Sequence, residues 1–362
     1  MTDQARAQPV LMIPIRRCGS HAIRLRLAYD PRFYAPYPLH IIDFMPLVGL
    51  YGDLTHDEAY FQLIVDVIGL QNAAMVKWPG VALDPVHVFD GLAGRPRSIH
   101  AVTWEMLQQA AAQHGATVVM DKSLDSIGYA AEQLMAQPEL RFVNVVRDPR
   151  AQVSSMGRAI IYDFDPLCNV LAWVRAHDMA RALAGRLPDR VLTVRYEDLI
   201  HEPGPVLRRL CDFLGLSYHQ SMVDVSSSAE AQEIAARSAL WENNNKPFAP
   251  SFIDKYLRLL SHEEIQLIET VAADHMAHYG YEPITGGAAV ITGERLDHAQ
   301  DRSRTGRLNA WQQLRISDPR DYQLRQFRAW YLKALRSRLL GDQCPGPRHY
   351  TAPLTTDISP YG

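Results

Sequence analysis

The strongest constraint on the fold of this 362-residue chain is an alternation of two patterns, short unbroken apolar runs and longer stretches of helical periodicity. Four apolar runs read as strands: residues 10–15, 117–120, 142–146 and 190–194. Runs without polar alternation suit a sheet covered on both faces. Helical spacing fills residues 20–27, 104–114, 125–137, 149–157 and 167–187. Strands separated by helices must cross over and return parallel. The expected fold class is therefore α/β, a mainly parallel central sheet flanked by helices. Further on, residues 205–214 form a helical pattern that stops at Gly215, where a left-handed cap favours glycine. Ser261-His-Glu-Glu264 is a capping-box pattern opening a helix that runs to about His278.

The composition shifts near residue 284, so residues 1–283 are expected to form the main domain. Residues 284–362 are expected to form a C-terminal helical appendage with an irregular tail. Residues 293–307 are polar and charged. Within 318–340, Phe327, Trp330, Tyr331 and Leu335 recur at helical spacing. That face suits docking on the main domain, capping a cleft or forming a homodimer contact. Arg315, Arg320, Arg325, Arg328, Arg336 and Arg338 give the same segment a basic side, by default a solvated face.

Composition excludes several classes. A net charge of −3 offers no global field for nucleic acid. No apolar run approaches the ~20 residues of a membrane span, and residues 10–15 are too short for a signal segment. The cysteines Cys18, Cys168, Cys211 and Cys344 include no CxxC pair, which argues against a zinc ribbon or disulfide scaffold and for a reducing cytoplasm. His275 and His278 share a helical face but lack an evident third metal ligand.

Two turns carry chemistry. The first strand runs into Arg16-Arg-Cys-Gly-Ser-His21 and then a helix. Such a turn aims backbone N–H groups and a helix N-terminus at an anion, with Arg17 and Ser20 as side-chain donors. It is not a Walker loop, because GxxxxGK[ST] is absent. The third strand ends at Arg147-Asp-Pro-Arg150, where Asp148 suits an N-cap, Pro149 a first helical turn and Arg147 the carboxyl end of a parallel strand. Ser155 lies about two helical turns on. Two anion turns on one sheet edge imply a ligand with two separated phosphates.

These residues resemble the sulfotransferase family, which uses 3′-phosphoadenosine 5′-phosphosulfate (PAPS) as donor and has a P-loop-like nucleotide-binding fold. Arg16–His21 looks like the family's 5′-phosphosulfate loop. Arg147 and Ser155 match its 3′-phosphate motif. Val194-Arg-Tyr-Glu-Asp-Leu199 is very similar to the family's Arg-Tyr-Glu-Asp-Leu segment, and weaker matches are Asp121-Lys-Ser123 and Ser238-Ala-Leu-Trp241. The sequence departs from the pattern at Cys18 and His21, which replace hydroxyl residues.

The resemblance implies sulfuryl transfer without a metal. Arg17, with Cys18, Gly19, Ser20 and His21, would hold the 5′-phosphosulfate. Arg147 and Ser155 would take the 3′-phosphate, Tyr196 would approach the adenine, Lys122 would add charge near the sulfuryl group, and Trp241 and Lys246 would close over the nucleotide. The histidine base of some members is replaced by Leu124. His40 is the preferred general base, since it titrates near neutrality, with Asp43 as alternative and Asp125 and His21 as further candidates. The acceptor would be a hydroxyl of a small molecule, saccharide or carrier-bound chain. Two rivals stand: a P-loop kinase-like phosphotransferase, and an inactive nucleotide-binding interaction protein.

Overall fold

The computed structural model describes residues 6–73, 77–237 and 245–341. Its sheet has five strands: β1 (Gln8–Ile13), β2 (Phe33–Tyr34), β3 (Val118–Asp121), β4 (Arg141–Val146) and β5 (Val191–Arg195). Their order is β2-β3-β1-β4-β5. The β1–β3, β2–β3 and β4–β5 pairs are parallel. Val10 to Ile13 and Phe142 to Val146 are buried throughout, which is why these runs show no polar alternation. β1 starts two residues earlier than the apolar run suggests and stops at Ile13, because Pro14 brings no N–H to a ladder. β2 was not expected: two residues carry no period to read.

The chain forms two compact units. The first comprises residues up to 11, 31–141 and from 317 onward. Helices Asp57–Asn72 and Ile99–Gln113 provide much of its core, and Trp104 is fully buried, its indole N–H donating to Gln133 Oε1 at 2.6 Å. Gln108 exchanges both amide hydrogen bonds with the Ala7 backbone, at 2.9 and 2.8 Å, fixing the entry to β1. Helix Pro319–Leu339 belongs to this unit and buries Leu332 and Leu335. Tyr331 lies so close over Gly69 that a Cβ there would overlap its hydroxyl. The Tyr331 hydroxyl donates to the Asp66 carbonyl at 2.9 Å, and Arg338 pairs with the Asp66 carboxylate.

The second unit comprises residues 12–30 and 142–316. Asp148 caps helix Pro149–Met156 and Asp165 caps helix Pro166–Arg186, each accepting from the second residue on at 2.8 Å. Gly215 and Gly280 end their helices in the left-handed conformation, and the Ser261–Glu264 capping box is formed. The helix after it is broken at Ala272 into His262–Val271 and Ala273–Tyr279. His275 is buried and bonded to Asp178 at 2.8 Å, whereas His278 is exposed, so the two do not share an environment.

Residues 293–307 turn out to be helical, within a helix that spans Gly293–Ser317. It is fastened by charge and close approach rather than by an apolar stripe. Arg295 and Arg302 reach Asp165 at 3.0 and 3.3 Å, and Arg307 reaches Asp163 at 3.0 Å. Ala299 and Ser303 are its buried residues, and a Cβ at Gly306 would overlap Phe164. The segment expected as one appendage thus contributes one helix to the second unit and one to the first.

Candidate functional site

Within the second unit, the turn after β1 is left-handed at two positions. Arg17 and Gly19 both have positive φ, 72° and 95°, and Gly19 is the N-cap of helix Ser20–Leu27. The Gly19 carbonyl accepts from Ala22 N at 2.9 Å, but no side chain caps the helix and no acid occupies its first turn. A helix start with neither a side-chain cap nor an acid leaves the positive end of the helix dipole at this turn. Glycine is required at position 19 twice over: the backbone is left-handed, and a Cβ would overlap the Tyr196 ring. For an ordinary residue the left-handed backbone alone costs about 1–2 kcal/mol.

The turn after β4 is closed instead. Asp148 caps its own helix, and its carboxylate pairs with Arg150 Nη2 at 2.6 Å. Arg150 also meets Glu269 at 2.6 Å and the Glu282 carbonyl at 3.0 Å. The Glu197 carboxylate accepts from Asp148 N at 3.0 Å and from the Tyr281 hydroxyl at 2.7 Å. Burial pulls the Arg150 pKa down, but its bonds to Asp148 and Glu269 outweigh that and raise it, so the guanidinium is firmly charged. This network spends its acids on holding the backbone and leaves Arg147 to project.

Arg147 donates to the Arg17 carbonyl at 3.0 Å and to the Phe252 carbonyl at 3.1 Å, with its guanidinium 4.6 Å from the Tyr196 ring centre. Arg17 Nε donates to Ser155 Oγ at 3.0 Å, so the two motifs meet although 138 residues separate the partners. Burial lowers the Arg17 pKa, and repulsion from Arg147 lowers it further. Two cations held together in a buried place are a site that an anion stabilises.

Both turns open on one cavity of about 340 Å³, within the range of small-ligand sites. Of the expected residues, Arg17, Gly19, Ser20, His21, Arg147, Ser155, Tyr196 and Lys246 line it. Cys18 is fully buried and is not part of the lining. Trp241 and the Ser238–Trp241 stretch lie outside the described residues. His40, Asp43 and Lys122 belong to the first unit. Lys122 follows β3 directly and is buried. His40 stands in the left-handed conformation at φ 52°, its N–H donating to Ser123 Oγ at 3.2 Å. The Asp43 carboxylate accepts from Arg328 at 3.0 Å.

The cavity also contains residues that motif reading missed: Arg26, Arg158, Phe248, Phe252, Lys255 and Tyr256. Arg26 is buried, stacks 3.6 Å from the Phe248 ring centre, and has its pKa pushed down to about 10 by burial, against the charges of Tyr196 and Asp224. Arg158 was within reach of sequence reasoning, three residues past Ser155 and close to its helical face. Among the described residues, Arg17, Arg26, Arg147, Arg158, Lys246 and Lys255 line the cavity, and no carboxylate does.

The pattern that defines the sulfotransferase family matches residues 9–220. The sulfotransferase domain of the Synechococcus PCC 7002 olefin synthase has a similar fold, with TM-score 0.52 and 21% identity over 77% of this chain and 97% of that one. The sulfotransferase domain of the curacin biosynthetic pathway gives 0.49 and 16% over 77% and 99%. A sulfotransferase of Mycobacterium avium gives 0.42 and 15% over 77% and 79%. No curated protein matches this chain. With the family pattern spanning 9–220, more than half of its length, the chain belongs to the sulfotransferase family and is a sulfotransferase enzyme.

Proposed function

We propose that this sulfotransferase uses PAPS as its donor and passes the sulfuryl group to a hydroxyl of a small-molecule, saccharide or carrier-bound acceptor. The observation that carries the reading is the cavity itself, lined by six arginines and lysines with no carboxylate and served by an uncapped helix N-terminus. A ligand with separated phosphates supplies the negative charge such a lining needs. Arg17 and the N–H groups around Gly19 and Ser20 hold the 5′-phosphosulfate. Arg147 and Ser155 take the 3′-phosphate. The purine lies by Tyr196, with Lys246 closing over the nucleotide.

In the transfer, the bond between sulfur and the bridging 5′-phosphate oxygen breaks while the acceptor oxygen bonds to sulfur in line. Charge grows on the leaving phosphate, where Arg17 and the backbone N–H groups stabilise it without reorganising. His40 takes the acceptor proton, and Lys122 adds positive charge to the sulfuryl oxygens. Asp43 suits a tether better than a base, since its carboxylate is engaged by Arg328. The reaction needs no metal in this scheme. A cytoplasmic setting fits Cys18, Cys168 and Cys211, which are thiols. Among the described residues, no helix is long and apolar enough to cross a membrane.

The test is transfer of ³⁵S from labelled PAPS into host-cell extract, with identification of the labelled product. A labelled organic sulfate ester that depends on the enzyme is expected. Label that stays on PAPS, or appears only as inorganic sulfate, would refute the reading.

A further inference from the structure

We propose that Arg328, on the C-terminal helix, is a positioning residue that sets His40 for its role in sulfuryl transfer. The proposal rests on the reading of His40 as general base. It assigns work to a helix that lies wholly outside residues 9–220, the stretch that carries the family pattern.

The backbone at His40 is left-handed. His40 has φ 52° and ψ 54°, a left-handed conformation that is uncommon outside glycine, though histidine is among the residues that adopt it more often. Both sides of its peptide are held. On one side, its N–H donates to Ser123 Oγ at 3.2 Å. Ser123 is itself fixed, its N–H bonded to Asp121 Oδ1 at 2.7 Å and its carbonyl accepting from Ser126 Oγ at 2.7 Å. On the other side, Arg328 Nη2 reaches the His40 carbonyl at 3.1 Å, the Leu39 carbonyl at 3.0 Å and Asp43 Oδ2 at 3.0 Å.

A single guanidinium nitrogen thus gathers both ends of the short turn that His40 opens. The Asp43 N–H closes that turn onto the His40 carbonyl at 3.1 Å, and the Asp43 carboxylate returns to Arg328. The Arg328 side chain is 14% exposed, so its end of these bonds is largely buried, while the Asp43 side chain is 39% exposed.

An arginine can impose a geometry only if its own backbone is held. Helix Pro319–Leu339 satisfies this condition. Asp318 caps it, and Arg325 pairs with the buried Asp321 at 2.9 Å one turn before Arg328. One turn after it, Tyr331 bears on Gly69 and bonds the Asp66 carbonyl, while Arg338 takes the Asp66 carboxylate. Arg328 is therefore delivered from a helix that is capped at its start and fastened after Arg328 to helix Asp57–Asn72. A solvated basic face, the default reading of this arginine row, does not account for three acceptors on one nitrogen.

The experiment uses the full chain with three variants, Arg328→Ala, Arg328→Lys and His40→Ala. Three readouts are taken: ³⁵S transfer from PAPS into the extract fraction that the wild type labels, calorimetric binding of adenosine 3′,5′-bisphosphate, and the histidine-ring NMR spectrum across pH, with His40→Ala assigning the signal. Arg328→Ala is expected to cut transfer about 100-fold, the scale of a misplaced catalytic group, while bisphosphate affinity stays within about twofold. Its His40 signal should move and titrate with an altered midpoint. Arg328→Lys keeps the charge but loses the shared contacts, and should restore the His40 signal and the rate in part.

If Arg328→Ala leaves the His40 signal and its titration unchanged while the protein remains folded, the positioning role is overturned. Should Arg328→Ala fail to fold, Arg328→Lys decides on the same spectrum: an unchanged His40 signal with wild-type transfer overturns the role. If His40→Ala transfers at the wild-type rate, the base assignment falls, and the Arg328 role in catalysis falls with it even where the signal moves.

Discussion

The turns after β1 and β4 look alike in sequence, each an arginine at a strand end followed by a helix, yet they are finished in opposite ways. The first is uncapped, left-handed at Arg17 and Gly19, and without an acid in its first helical turn. The second is capped by Asp148 and braced by Arg150, Glu197 and Glu269. One helix starts without a side-chain cap, whereas the other is capped and braced, with Arg147 beside it lining the cavity. A carboxylate at a helix N-terminus satisfies the N–H groups that an anion would otherwise take. On the proposed function, the absence of such an acid marks the first turn as the one that binds through its main chain.

Substitutions can break this contrast, and the largest effect is expected at the braced turn. Asp148→Ala leaves Arg150 buried beside a lost partner and should cost about 3–5 kcal/mol of stability, read from denaturant unfolding. Gly19→Ala combines a left-handed backbone with overlap on Tyr196, an expected loss of about 3 kcal/mol, with bisphosphate binding abolished in calorimetry. Arg147→Ala should leave the fold intact and weaken adenosine 3′,5′-bisphosphate by about 2 kcal/mol, with adenosine 5′-phosphate nearly unaffected. Equal losses for the two nucleotides would contradict the assignment of Arg147 to the 3′-phosphate.

The smallest expected effect is one of pH. Glu269 is buried, which alone would raise its pKa, but bonds from Thr285, Ile284 and Arg150 outweigh this and hold it below the ordinary value. A depressed carboxyl stabilises the fold above the unfolded value of about 4.3 and loses that contribution as pH falls through its folded value. The stability gap between wild type and Glu269→Gln should therefore be constant near neutrality and shrink below about pH 4. A gap unchanged down to acid unfolding would remove Glu269 from the brace.

The turns could be read from the sequence because each rests on local rules. Asp148 and Pro149 announce a capped helix, and Gly19 the turn that opens helix Ser20–Leu27. The buried runs of β1 and β4 were equally plain. What escaped depends on distant partners. Helix Gly293–Ser317 buries Ala299 and Ser303 and is fastened by arginines to Asp163 and Asp165, so no apolar period marks it. Arg26, Phe248 and Lys255 join the cavity through folding of segments that carry no motif. Arg328 read as one of six basic residues on a surface helix until its three acceptors were known.

The central claim, that the cavity reads a nucleotide by two separated phosphates, is tested most directly by one calorimetric comparison on the wild-type protein. Adenosine 3′,5′-bisphosphate and adenosine 5′-phosphate are titrated under identical salt. The bisphosphate is expected to bind roughly 30-fold more tightly or better, as one charge-assisted phosphate contact implies. Equal affinities for the two would contradict it.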